Sequence, residues 1–102
     1  METEIEFKQY RRFVVLNALY KATKGNTSQA ENLQEIAASV NIKNGNFEDV
    51  IECLPEDGFV KQTGMGSPLY FITHVGKKAI EKAYSFPNER SEHFPSLKNM
   101  GI

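Results

Sequence analysis

The sequence predicts an α+β domain, mostly helical, with three helices, a two-stranded hairpin and a C-terminal helix. Three observations predict it. Apolar residues recur at helical spacing in successive runs ahead of Pro55. Two runs rich in β-branched and aromatic residues then flank a stretch of turn residues. A last helical run follows Thr73, which is placed to cap it.

The first helix is expected from about Ile5 to Lys24, where Tyr10, Phe13, Leu16, Leu19 and Tyr20 recur at three- and four-residue steps. Gly25-Asn26 is its stop signal, with Lys21 and Lys24 near the negative helix end. A polar loop, Thr27 to Glu31, leads to Asn32, an N-cap with Glu35 in capping-box position. Leu33, Ile36, Ala37 and Val40 form the short apolar face of the second helix. Asn41 ends it, since asparagine tolerates a left-handed turn, and Ile42 plugs the corner. The third helix starts near Gly45 or Asn46 and buries Phe47, Val50, Ile51 and Leu54. Pro55 marks its end and Gly58 the turn beyond it.

The strand pair is Phe59-Val60-Lys61-Gln62 and Leu69-Tyr70-Phe71-Ile72-Thr73, joined by turn chemistry from Thr63 to Pro68. The fourth helix runs from about His74 to Tyr84 with Val75, Ala79, Ile80 and Ala83 inward. The domain is thus expected over residues 5–84, followed by a tail or linker over 85–102. Pro87 and Pro95 break periodicity there, but Phe86, Phe94, Leu97, Met100 and Ile102 leave two options open. The tail packs back on the domain, or it leads to something C-terminal.

A chain of 102 residues fits one domain. Its net charge of -1 provides no global basic field for nucleic acid or an anionic membrane. The single cysteine, Cys53, rules out an internal disulfide and fits a reducing, cytoplasmic setting. The acidic start Met1-Glu2-Thr3-Glu4 is no signal peptide. No apolar run approaches the roughly 18–20 residues of a membrane helix. The ending at Gly101-Ile102 is compatible with the front of a longer protein.

Residues Phe13 to Tyr84 resemble the winged helix-turn-helix superfamily, in particular bacterial regulators of the multiple-antibiotic-resistance type. Leu33, Ile36, Ala37, Asn41-Ile42, Phe47, Ile51, Leu54 and Gly58-Phe59-Val60 match their register without a gap. After the wing, Tyr70-Phe71-Ile72-Thr73-His74-Val75-Gly76 matches their Tyr-x-Leu-Thr-x-x-Gly. The resemblance implies a winged-helix fold and, by analogy, DNA binding.

The departures bear on function. The turn into the reading helix is Lys43-Asn44-Gly45-Asn46, where those families are rich in serine and arginine. Asp49 stands where they often carry arginine. From Lys43 to Gly58 one base faces five acids, Glu48, Asp49, Glu52, Glu56 and Asp57, a net of -4. Such a helix is repelled by the phosphates that line a groove. The wing tip is Gly64-Met65-Gly66, with Lys61 set back on the strand.

Each candidate site has a plainer alternative. Lys43, Asn44 and Asn46 suit adenine and phosphate contact, but short polar residues at that point also cap and turn. Met65 is either a hydrophobic anchor for a partner or folds back on its own domain. Lys77, Lys78 and Lys82, and Lys8, Arg11 and Arg12, are read as ordinary solvated surface or as two basic patches. Cys53 reads as a structural thiol. His74 and His93 lack acids at ligand spacing, so no metal site is expected. No nucleophilic triad or phosphate loop appears, so neither catalysis nor a cofactor is expected.

Two functions remain. The favoured one is a protein-interaction or assembly module that binds through Glu48, Asp49, Glu52 and Met65. The alternative is a DNA-binding transcriptional regulator, compatible with a homodimer, reading through Lys43, Asn44, Asn46 and Lys61.

Overall fold

The computed structural model describes residues 4–40 and 47–101, and the side chains of all of these except 4, 6 and 47–49. The described elements are α1 (Glu4–Thr23), β1 (Glu31–Asn32), α2 (Leu33–Ser39), α3 (Phe47–Glu56), β2 (Val60–Gln62), β3 (Leu69–Ile72), α4 (His74–Ser85) and α5 (Leu97–Met100). The chain is α+β and mostly helical, with one small antiparallel sheet in the order β1-β3-β2.

Helix α1 is the centre of the molecule. It packs against α2, α3, α4 and β3. Phe13, Leu16 and Leu19 are completely buried, as their spacing predicts. Val15 and Arg11, one and two turns before Leu19, are buried as well and widen that face. The expected apolar stripe is therefore corrected to a broader one. A helix enclosed on several sides needs apolar residues around most of its girth. The buried Thr23 hydroxyl donates to the Leu19 carbonyl at 2.9 Å, so its burial leaves no unpaired donor.

α1 ends in a Schellman pattern. Gly25 N–H donates to the Tyr20 carbonyl (2.9 Å) and Lys24 N–H to that of Lys21 (3.3 Å). Lys24 itself takes the left-handed conformation at φ 55°, beside Gly25 at 74°. The stop thus begins one residue earlier than the glycine signal suggests.

The sheet has one strand more than expected. Glu31 pairs with Tyr70 and Asn32 with Leu69, along the edge of β3 that β2 leaves open. Two polar residues carry no strand signal of their own, and the open edge supplies the partner. Asn32 also caps α2, accepting from Glu35 N–H at 3.1 Å.

α2 stops at Ser39, short of Asn41, and Val40 is its extended C-cap. Ser39 Oγ donates to the Ile36 carbonyl at 2.6 Å, a local bond that competes with helix continuation. Asn41 and Ile42, expected to turn and plug this corner, lie outside the described residues. α3 runs one residue past Pro55. Its stop is a second Schellman pattern, Phe59 N–H to Leu54 (3.0 Å) and Gly58 N–H to Pro55 (3.0 Å), with Gly58 at φ 78°. Leu54 and Phe59, brought together by that pattern, are both core residues.

Thr73 joins this corner to α4. Its N–H donates to the Phe59 carbonyl (3.0 Å) and its hydroxyl to the Gly58 carbonyl. The same oxygen accepts from Gly76 N–H at 3.1 Å, capping α4. Gly76 and Ile80 form the buried face of α4, with Ala79 and Ala83 partly buried. Val75, expected inward, is exposed: it is one residue from Gly76, roughly 100° around the helix.

Of the two options for the tail, the structure has it packed back. Phe94, Leu97 and Met100 belong to the core cluster. The Phe94 ring meets Phe13 edge-on at 5.4 Å and lies 5.5 Å from Phe59. Ser96 caps α5 by accepting from Asn99 N–H (3.1 Å), and Gly101 at φ 74° closes it.

Candidate functional site

The β2–β3 hairpin is built to hold its tip outward. Lys61 pairs with Phe71 and Gln62 with Tyr70, which carries the ladder to the loop. Thr63 N–H donates to the Leu69 carbonyl at 3.0 Å. Ser67 then ties the loop from several sides. It accepts from Thr63 Oγ1 (2.7 Å) and from Leu69 N–H (3.1 Å) on its hydroxyl, and from Gln62 Nε2 (2.6 Å) on its carbonyl. Its own N–H reaches the Gly64 carbonyl at 3.0 Å, closing a turn in which Gly66 takes φ 78°. That is the conformation a type II turn demands at its third position, and glycine adopts it without strain.

Met65 is the second residue of this turn. Its relative exposure is 103%, so it touches nothing on its own domain. Of the two options left open for Met65, folding back on its own domain does not occur. Ordered hydrogen bonds beneath it hold an unsupported apolar side chain in water.

The remaining candidates are distributed as follows. Glu52 and Glu56 are exposed on α3, and Lys61 is exposed on β2. Glu48 and Asp49 are in the first turn of α3, and their side chains lie outside the description. Lys43, Asn44 and Asn46 also lie outside the described residues. α3 packs on β2, which brings the helix and the hairpin into one assembly. Among the described residues, no hydrogen bond or ion pair joins Glu52, Lys61 and Met65 to one another.

Asp57 differs from the exposed Glu52 and Glu56. It is half-buried, and its Oδ2 lies 3.8 Å from Nη1 of Arg12. One of the five acids is thus drawn toward α1. The same contact bears on Lys8, Arg11 and Arg12, read from the sequence as solvated surface or as a basic patch. Arg12 turns to Asp57, and Arg11 is 6% exposed with its guanidinium 5.3 Å from the centre of the Phe7 ring. Of Lys8, Arg11 and Arg12, only Lys8 is exposed, so neither a patch nor plain solvated surface describes them. On α4, Lys78 and Lys82 are exposed and Lys77 is half-buried.

Cys53 is half-buried on α3. His93 packs edge-on against the Phe59 ring, 5.0 Å between centres. Among the described residues, no three His, Cys, Asp or Glu side chains converge as metal ligands. No described helix is long and apolar enough to cross a membrane.

One concave region escaped the sequence reading. Two adjoining hollows share Arg90 and Pro95: one is lined by Lys82, Ala83, Phe86 and Glu89 among others, the second by Ser96, Lys98 and Asn99. Its cations are spread from Lys82 to Lys98 with prolines between them, so no local spacing signals them.

Comparison with known proteins yields no match: no family model, no curated protein and no solved structure corresponds to this chain.

Proposed function

We propose that the chain is a non-catalytic winged-helix recognition module that mediates protein–protein interaction or assembly. Its surface is α3, with Glu48, Asp49 and Glu52, together with the hairpin tip at Met65. The element order α1-β1-α2-α3-β2-β3-α4 and the sheet order β1-β3-β2 support the winged-helix part of this reading.

The observation that carries the proposal is Met65. Folding gains nothing from a thioether held fully in water, and burial in a partner's pocket would remove its apolar surface from solvent. The tied turn lowers the ordering cost of binding, because the anchor is already presented. The acids carried by α3 disfavour nucleic acid and favour a partner with basic groups near an apolar pocket.

The test is affinity capture with the intact chain and two variants, Met65→Ser and the pair Asp49→Lys with Glu52→Lys. Both variants should keep the native melting temperature and lose the captured partner. Retention of that partner by both variants would overturn the reading.

A second reading is a DNA-binding transcriptional regulator, contacting DNA through Lys43, Asn44, Asn46 and Lys61. Two observations favour it: Lys61 is exposed on the hairpin, and Asp57 is drawn toward Arg12 instead of adding to the outward acids. This reading requires affinity for random duplex at low salt, falling steeply as salt rises. Micromolar binding with that slope would replace the first reading.

A further inference from the structure

The paired hollows beside the tail lie apart from α3 and the hairpin, and their chemistry is the opposite. The second hollow, about 390 Å³, is lined by Arg90, Pro95, Ser96, Lys98 and Asn99, two cations and no acid. Ser96 lines this hollow and its Oγ accepts from Asn99 N–H, which leaves its rotatable O–H available to donate. The Arg90 guanidinium makes one long hydrogen bond, to Gln9 Oε1 at 3.4 Å, and retains further N–H groups. No ion pair engages Lys82, Arg90 or Lys98 among the described residues. The first hollow adds an apolar wall: Phe86, half exposed, with Ala83 and Pro95, and Lys82 at its rim.

We infer that this double hollow docks an acidic peptide segment of a partner protein, one carboxylate over Arg90 and Lys98 and a neighbouring apolar side chain against Phe86. The donors need an anion with several acceptor oxygens. The apolar wall needs a ligand that carries hydrocarbon beside its charge. Glu89 lines the first hollow, and the exposed Glu92 follows close in sequence. Both would repel the dense, regular charge of a nucleic-acid backbone, whereas a peptide can space its carboxylates to avoid them.

The experiment is fluorescence anisotropy on the full chain, with a labelled short peptide of alternating glutamate and leucine as probe. Saturable binding is expected at micromolar protein. Arg90→Glu and Lys98→Glu should each weaken it about tenfold, equivalent to about 1.4 kcal/mol. Phe86→Ala should weaken it as well, while Lys21→Glu, an exposed charge change at the end of α1, should leave it intact. Circular dichroism of each variant checks that the fold is retained. Absence of saturable binding would overturn the inference. So would equal loss from Lys21→Glu and Arg90→Glu, or tighter binding of a labelled DNA duplex than of the peptide.

Discussion

Gly76 of α4 lies against the Phe59 carbonyl so closely that a Cβ at Gly76 would sit 2.2 Å from that oxygen. The contact is backbone to backbone, so no side chain can swing aside. Thr73 fixes the approach by bonding both Gly58 and Phe59 carbonyls. This explains physically why a glycine stands three residues after the threonine cap. Gly76→Ala is expected to cost about 3 kcal/mol through overpacking. Thermal melting by circular dichroism checks it, and an unchanged midpoint would mean that α4 can part from the Phe59 corner at no cost.

Two other positions isolate backbone conformation from space. Gly58 has φ 78° and nothing within 4 Å of a Cβ, so Gly58→Ala meets no clash. Its cost should be the left-handed penalty alone, about 1 kcal/mol. Lys24 is the reverse case, a residue with a Cβ held at φ 55°. Lys24→Gly is expected to stabilise by about 0.5 kcal/mol, the relief of strain being partly offset by the flexibility of glycine when unfolded. Urea titration should show the midpoint moving in opposite directions for the two variants with no change in slope.

The tail should prove part of the folded unit. Phe94 is 1% exposed and wedged between Phe13 and Phe59. Phe94→Ala is expected to cost about 3–5 kcal/mol, a large share of the about 5–15 kcal/mol that holds a domain. Phe86→Ala, on a half-exposed ring, should stay within about 0.5 kcal/mol. Amide exchange offers an independent check: the α5 amides should be protected well beyond the level of a loose tail.

Tyr20 links α1 to α4 in a pH-dependent way. Burial, reinforced by its hydrogen bond to Glu81 (3.1 Å) and the charge of that carboxylate, raises the phenol above its ordinary 10.0. The protonated phenol is the form the fold favours, so the contribution is whole below pH 10 and is lost as pH rises through the raised value. Tyr20→Phe should therefore destabilise at neutral pH and match the parent more closely at strongly alkaline pH. A constant gap between the two melting curves across that range would refute the linkage.

Much of the fold was legible in local pattern. Phe13, Leu16 and Leu19, Leu33 and Ala37, Val50 and Leu54, and Ile72 and Ile80 are core residues whose spacing marked them. The caps at Asn32 and Thr73 and the turn at Gly58 were legible too, because each depends on bonds within a few residues. The burial of Val15 and Arg11, the pairing of Glu31 with Tyr70 and the exposure of Val75 were not legible. Each depends on an element distant in sequence: what encloses α1, which edge of β3 is open, and which face of α4 Phe59 occupies. The candidate surface divides in the same way. Met65 stood out as an apolar residue between glycines, while its exposure depends on Ser67 tying the loop beneath it.

The sequence by itself determined the first four helices, the hairpin and their order, because hydrophobic period, capping and turn chemistry act over a turn or two of chain. Only the tertiary structure decided which charges face water. Arg11 and Arg12 look alike in sequence, yet one lies beside Phe7 and the other beside Asp57. Charge counted along a chain carries no direction. Direction comes from packing, which turned Asp57 toward α1 and left Glu52 and Met65 outside.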